Sequence, residues 1–415
     1  MGPAAESLRQ QWQEPSDVFT ILLIIGGDIV HRALGAVSGG TLTPVAFSYG
    51  WVAYAMSALL STAGEARLLP PSPVPDLAVI NLSSGYRRTN RSWTIGRLFE
   101  TYDSWMPPPV RDRIAHPVLP PPPSTTADEE VQHHPPAPPA AAAVPLCVAV
   151  YTWAVPRLQP GRTGRDWVWW TGLVTTAAQL GLSVVPFATA ADWRVFLLTA
   201  GGTALAYAQG ALPQWRREKW ACRAGNSAKH VALTLGNGSQ HVVVVLGHER
   251  GLDLEDLAGG QVRGRSARGT GLVMAALAVL WFLLLVTSTG IETHTWYLLG
   301  VGALGLLQNL VVAGAPRAPA MLGVPIELAT TRLPGGGGEP APMVFAGMKV
   351  MFTLMELEMA YPGFGKGLLG EFFPGQLRPW ETEWWASSDV ERRRELLREA
   401  RLQESLRMMK PGRGS

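Results

Sequence analysis

Charge is scarce in this chain: Asp, Glu, Lys and Arg make up only 16% of its 415 residues, against 47% hydrophobic residues. Soluble domains are about one quarter charged, so this is the balance of a mixed membrane and soluble chain. The net charge of +3 is too small to imply nucleic acid, and the arginines are scattered rather than set on a nucleic-acid motif. Cysteine is nearly missing. Cys147 and Cys222 stand in separate segments without CxxC spacing, which fits unpaired thiols in a reducing compartment better than a disulfide framework, with one bridge between them left open. No G-x-S-x-G elbow, H-E-x-x-H pair or compact cluster of Cys, His and carboxylates is present, so no residue is assigned to catalysis, to a metal or to a cofactor. A basic leader is lacking too: Glu6, Glu14 and Asp17 precede the first apolar run, which is therefore expected to be retained.

What the chain does have is long apolar runs, at 18–37, 44–61, 167–186, 193–211, 271–288 and 296–315. A bilayer core takes about 20 helical residues to cross. The expected fold is therefore an α-helical polytopic membrane protein with six transmembrane helices. Its basic residues divide sharply, with ten between the second and third runs, nine between the fourth and fifth and thirteen after the sixth. Lysine and arginine favour cytoplasmic loops, so both termini and the long connections are expected in the cytosol, at the plasma membrane or an endomembrane. Trp167, Trp169, Trp170, Trp193, Trp215 and Trp296 stand at the edges of these runs, as interfacial anchors do. The sequons at Asn81, Asn90 and Asn237 then fall on the cytosolic side and are expected to stay unglycosylated.

Between the runs the sequence predicts a small discontinuous cytosolic α/β domain. After a cytosolic terminus at 1–17 and two spans within 18–61, residues 62–105 supply a strand at 76–82 and a helix at 92–105, with Asn90 and Ser92 as caps. A disordered, Pro/Ala-rich insert follows at 106–145, with little to bury. Residues 146–166 return as a strand and connector before the spans in 167–211. The loop 212–270 carries a β-hairpin at 230–235 and 240–247 around Gly236-Asn237-Gly238-Ser239, where Asn-Gly readily takes two positive φ angles. The last spans lie in 271–315, and 316–415 is a cytosolic C-terminal region with a strand at 324–331, a helical pattern at 342–361 and a charged helix at 389–409. Met348, Met351, Met355 and Met359 form a helical stripe that suits core packing better than docking. Phe372, Phe373, Trp380, Trp384 and Trp385 suit either the headgroup region or the cytosolic core.

The one chemically loaded place is in the first run, where Asp28, His31 and Arg32 follow Gly26-Gly27. Charges at bilayer depth are costly unless paired or hydrated, and they often line ion or solute routes. Asp28 and Arg32, four apart, approach on one helix face with His31 beside them. A neutralised packing pair, or an Arg32 that snorkels outward, is the plainer account, and a transport site the sharper one. Thr175, Thr176, Gln179, Gln209, Gln308 and Asn309 are read as hydrogen-bonding glue between helices. Gly300, Gly302 and Gly305 spell GxGxxG inside an apolar run, where they serve close helix contact rather than pyrophosphate binding.

The segments Glu14-Pro15-Ser16-Asp17-Val18-Phe19, Thr43-Pro44-Val45-Ala46-Phe47-Ser48-Tyr49-Gly50-Trp51, Asn90-Arg91-Ser92-Trp93 and Glu371-Phe372-Phe373-Pro374-Gly375 give the chain a further reading. Through them it resembles an uncharacterised fungal family of multi-pass integral membrane proteins, over most of its length outside the insert. The resemblance implies a membrane protein and no reaction. The sequence thus points to a noncatalytic scaffold or sensor that contacts membrane lipids and couples the membrane to a cytosolic protein partner. The alternative is a transporter or channel for an ion or small solute, using Asp28, His31 and Arg32.

Overall fold

The computed structural model describes residues 18–64, 67–115, 144–154, 159–223, 227–260, 267–291, 293–331 and 341–409. Two helices come first, α1 (Val18–Val37) and α2 (Gly50–Gly64). They run in the same direction: Gly26 abuts Gly50, Gly27 abuts Ala53, and the His31 ring lies 5.4 Å from that of Tyr54. The chain must therefore travel back between them, and it does so without a helix, through an extended stretch at 42–48. This corrects the expected span at 44–61. Pro44 has no N–H to give a helical ladder, and the apolar helix that follows, Gly50–Ser61, is shorter than a crossing requires.

Next come a β-hairpin, β1 (Ala78–Asn81) and β2 (Arg87–Thr89), and three short helices, α3 (Trp93–Glu100), α4 (Tyr102–Trp105) and α5 (Pro108–Ala115). The Ser92 hydroxyl accepts the Ile95 N–H at the start of α3, the capping expected from the sequence. The folded part continues past residue 105, because Met106 and Val110 are buried in its core. Most of the expected disordered insert, 116–143, lies outside the described residues.

Strand β3 (Leu146–Trp153) leads to α6 (Trp167–Ala190), α7 (Arg194–Gly210) and the short α8 (Pro213–Lys219). Then follow β4 (Val231–Thr234), β5 (His241–Val245), α9 (Leu254–Ala258), α10 (Ala267–Thr289) and α11 (Thr295–Gly314). A 3₁₀ turn at Pro319–Leu322 precedes β6 (Ile326–Leu328), β7 (Thr330–Thr331), β8 (Ala341–Pro342) and β9 (Val344–Gly347). Four helices end the fold: α12 (Val350–Ala360), α13 (Phe364–Phe372), α14 (Pro379–Ala386) and α15 (Val390–Met409). The helical pattern at 342–361 thus begins as strand and becomes helix only at Val350.

Three helices are long and apolar enough to cross a membrane: Trp167–Ala190, Gly269–Thr289 and Thr295–Gly314. The bent pair α7 and α8 makes a fourth if counted as one span. Among the described residues there are not six such helices. Their outer faces carry Leu197, Leu272, Val279, Leu283, Val286 and Leu307, all exposed, and an unpartnered apolar belt of this kind suits lipid rather than water. Exposed Trp167 and Trp170 mark one end of the bundle, and exposed Trp193 and Trp296 the other.

The soluble part is built on a mixed sheet ordered β2-β1-β4-β5-β3-β6, with β9 also on β3. Its strands come from three separate stretches of chain. β3 and β5 are parallel, pairing Cys147 with His241 and Tyr151 with Val245, and the other pairings are antiparallel. β4 and β5 form the expected hairpin, although its positive φ angles fall on Gly236 and Gly238 rather than on Asn237 and Gly238. The six-residue connection, 235–240, is longer than the two-residue turn that Asn-Gly favours.

Side-chain alternation gives each face of the sheet its own core. Val79, Ala149, Tyr151, Leu233 and Val243 join the core that runs on into the helical bundle. Ile80, Val148, Val150, Ala232 and Val244 pack under α12 to α15 together with Met351, Met355, Phe372, Trp384 and Trp385. The methionine stripe therefore serves core packing, and the buried Trp384 and Trp385 sit in the soluble core rather than at a headgroup layer.

Candidate functional site

The three charged or titratable residues of α1 do not converge. Asp28 and Arg32 form an ion pair of 2.9 Å on the outer face, with side chains 70% and 65% exposed, whereas His31 turns inward, its Nε2 2.8 Å from the Leu68 carbonyl. Arg32 stands five residues before the end of the helix, so it reaches the interface readily.

The interior of the bundle is organised instead around the extended stretch. Thr43, Val45, Ala46 and Phe47 are fully buried, and backbone at that depth needs partners from neighbouring helices. Gln179 of α6 donates to the Phe47 and Val301 carbonyls, both at 2.7 Å. Gln308 of α11 accepts the Ala46 N–H at 3.1 Å, and Asn309 donates to the Ala46 carbonyl at 3.2 Å and to the Ser48 hydroxyl at 3.1 Å. The Thr43 hydroxyl donates to the Gly210 carbonyl at 2.8 Å. Glycines make the room: a methyl on Gly172 would overlap the Pro44 carbonyl, and one on Gly305 the Phe47 carbonyl. Gln179, Gln308 and Asn309 are thus the hydrogen-bonding glue expected, but they hold a non-helical segment as well as helices. Gln209 accepts from the Trp281 indole at 2.8 Å in the same interior.

Where bundle meets sheet, the ends of two bundle helices, α1 and α11, are capped by cations, of which Lys219 and Arg317 are buried. Helix C-termini leave carbonyls unsatisfied and carry partial negative charge. Lys219, fully buried at the end of α8, donates to the Gly35, Ala36 and Ser38 carbonyls at 2.8, 3.0 and 3.0 Å. The rings of Trp93 and Trp220 lie 5.3 and 5.8 Å from its ammonium. Burial pushes Lys219 well below its usual range, while three carbonyl acceptors need all three ammonium N–H bonds and so hold the charged form.

Arg317 donates to the Ala36 carbonyl at 2.6 Å and forks onto Asp166 at 2.7 and 2.9 Å. Asp166 in turn caps α6 by accepting the Trp169 N–H at 3.1 Å. Arg97 donates to the Ala313, Gly314 and Ala315 carbonyls at the end of α11. Glu218 completes the junction by accepting the Leu68 and Leu69 N–H groups and the Gln214 amide, and burial raises its pKa.

These contacts also fix directions. α1 and α11 both end at the sheet, since Gly26 meets Leu306 while Ala36 meets Arg317. The opposite end of the bundle holds a small polar cluster, in which Asp192 pairs with Arg194 at 2.8 Å and with His294 at 3.1 Å. Its hydrogen bond to Arg194 holds the Asp192 carboxyl well below the usual range.

No nucleophile emerges from the thiols. Cys147 and Cys222 are both free, and burial pushes them up to about 12 and about 11. His230 and His248 have ring centroids 5.6 Å apart, yet among the described residues no three His, Cys, Asp or Glu side chains gather as metal ligands would. Lys219, Glu218, Arg317 and Asp166 were not singled out by the sequence. The available signal was the position of Asp166 and Arg317 close to the ends of apolar runs and of Glu218 and Lys219 beside Trp220.

Comparison of the chain with family models, with curated proteins and with solved structures finds no match. The comparisons therefore bring no family, activity or site residue to these positions.

Proposed function

We propose that this protein is a noncatalytic membrane scaffold or sensor whose sheet domain couples the bilayer to a cytosolic protein partner. The observation that carries it is the capping of α1 and α11 by Lys219, Arg317 and Arg97, which ties two spans to the soluble core without a flexible linker. A tilt of either span would move the sheet with it. Conduction is the poorer account, because residues 43–48 of the extended stretch are buried and Asp28 and Arg32 face outward. The partner surface we assign is the exposed, charged face of α15, including Glu391, Arg394 and Arg398. Arg394→Glu with Arg398→Glu is expected to abolish cross-linking of cytosolic partners at unchanged melting temperature. An unchanged set of cross-linked partners would remove the scaffold reading.

The topology we assign has five crossings, α1, α6, α7, α10 and α11, and one re-entrant unit, the stretch 42–48 with α2. Basic residues crowd the sheet end, which supports a cytosolic sheet and C-terminus. Because α1 runs toward the sheet, the N-terminus then lies on the opposite face, unlike the even-span expectation of two cytosolic termini. Asn81 and Asn90 are buried and closed to a glycan, whereas Asn237 is exposed at the hairpin tip. In microsomes Asn237 is expected to stay unmodified while a sequon fused before residue 1 is glycosylated. Modification of Asn237, or of neither site, would sink this topology.

A further inference from the structure

A groove of about 490 Å³ opens beside α8, lined by Arg216, Arg217, Arg223, Trp220, Pro213 and Leu252. We infer that it seats the headgroup of an anionic phospholipid. Its place in the chain supports this: only Ala211 and Leu212 separate α8 from the apolar helix α7, so the groove opens at the boundary between the apolar belt and the sheet. α8 is two-sided. Gln214, Trp215, Glu218 and Lys219 are buried in the junction, and Arg216 and Arg217 are left exposed on the groove side.

Arg223 is 68% exposed and lies 3.9 Å from Asp256, and among the described residues Arg216 shows no carboxylate partner. Guanidinium groups match phosphate oxygens in a fork geometry. The same rim continues into exposed Arg162 and Arg165, the latter 4.9 Å over the Trp169 ring, and into exposed Trp167 and Trp170. Positive charge beside interfacial tryptophan and an apolar belt is the pattern that complements an anionic leaflet.

The floor is fixed in advance. Trp220 is wedged against Gly39 and Gly323, both at positive φ, where a side chain would strike the indole, and its Nε1 donates to the Leu322 carbonyl at 3.3 Å. A headgroup at Arg216 and Arg217 therefore rests beside Glu218 and Lys219, whose contacts tie α8 to the end of α1 and to the Leu68 and Leu69 backbone. Lipid composition thereby becomes an input to the junction, which gives the sensor reading its ligand class.

The inference rests on the membrane reading, but its failure is separable from it. A glycosylated Asn237 would put the groove on the wrong leaflet. Failed lipid binding with Asn237 unmodified would overturn the groove alone.

The test is titration of the full chain in detergent with short-chain phosphatidylinositol 4-phosphate, short-chain phosphatidylcholine and soluble inositol phosphate, read as binding and as thermal shift. The phosphoinositide is expected to bind and stabilise, phosphatidylcholine to do neither, and the soluble anion to bind much more weakly. Arg216→Gln with Arg217→Gln is expected to weaken phosphoinositide binding about 30-fold, each arginine near an anionic surface contributing roughly a factor of five. Should that variant unfold, Arg223→Gln, outside α8, is expected to weaken it about fivefold by the same arithmetic. Equal binding of both lipids, or undiminished binding by folded variants, overturns the proposal. Soluble inositol phosphate binding as tightly as the lipid overturns the lipid as occupant.

Discussion

Asp166→Asn is expected to destabilise the protein by about 3–5 kcal/mol, the usual result of leaving one member of a buried ion pair uncompensated. The side chain of Arg317 is 1% exposed, and its carboxylate partner is 15% exposed. Asn keeps the shape of the residue and remains a good N-cap for α6, so the loss isolates the charge. The guanidinium then loses the Oδ2 acceptor of its Nε–H and retains only neutral oxygens, the Ala36 and Gly164 carbonyls and the amide oxygen at position 166, which cannot neutralise it.

Arg317→Met is expected to be milder, at about 1–3 kcal/mol. It removes the buried cation together with its desolvation, and leaves Asp166 at the rim still accepting the Trp169 N–H. The double variant should then be scarcely worse than Arg317→Met alone, a coupling of several kcal/mol that adjacent but independent sites do not show. Chemical unfolding of detergent-purified wild type, both singles and the double decides it. Additive losses, or a wild-type midpoint for Asp166→Asn, would mean that the pair does not hold the junction.

Much of the fold was legible in the sequence, and the reasons it was legible also explain where it was not. β3, the β4 and β5 hairpin, α3 with its Ser92 cap and the long charged α15 follow from local signals: β-branched runs, a glycine-rich turn, a capping hydroxyl and helical charge spacing. The helices of the bundle other than α2 follow from apolar length. The extended stretch at 42–48 did not, because hydropathy counts apolar residues without asking which conformation satisfies their backbone. Val45, Ala46 and Phe47 are as apolar as a helix requires, and only the carbonyl and amide groups of Gln179, Gln308 and Asn309, drawn from distant helices, reveal that they are not in one. Without that stretch as a span, the side proposed for the N-terminus changes. The junction was hidden for a related reason: Lys219 and Arg317 are ordinary flanking cations in sequence, and their acceptors lie more than 150 residues away.

The same interior gives the second large effect. Gly305→Ala is expected to cost about 3 kcal/mol or more, at the upper end for overpacking, although alanine is the better helix former. The added methyl would overlap the Phe47 carbonyl and crowd the Gln179 amide nitrogen that donates to it. Both neighbours are held: Phe47 packs between Gly202 of α7 and the Trp281 ring of α10, and Gln179 also donates to Val301. Relief requires the extended stretch to move off α11, which would strand the Gln308 and Asn309 contacts in a region with no water to replace them.

Gly181→Ala and Gly314→Ala are the matched controls, since a methyl at either meets nothing within 4 Å. They should be neutral or gain up to about 1 kcal/mol from helix propensity. Thermal unfolding of the three variants in one detergent reads the difference directly, and a companion Ala46→Cys label reads its cause. With Gly305 intact that thiol should resist a membrane-permeant reagent, because Ala46 is fully buried; with alanine at 305 it should react. If Gly305→Ala melts with Gly181→Ala and leaves the Ala46→Cys thiol protected, the extended stretch is not lodged against α11, and the re-entrant topology fails with it.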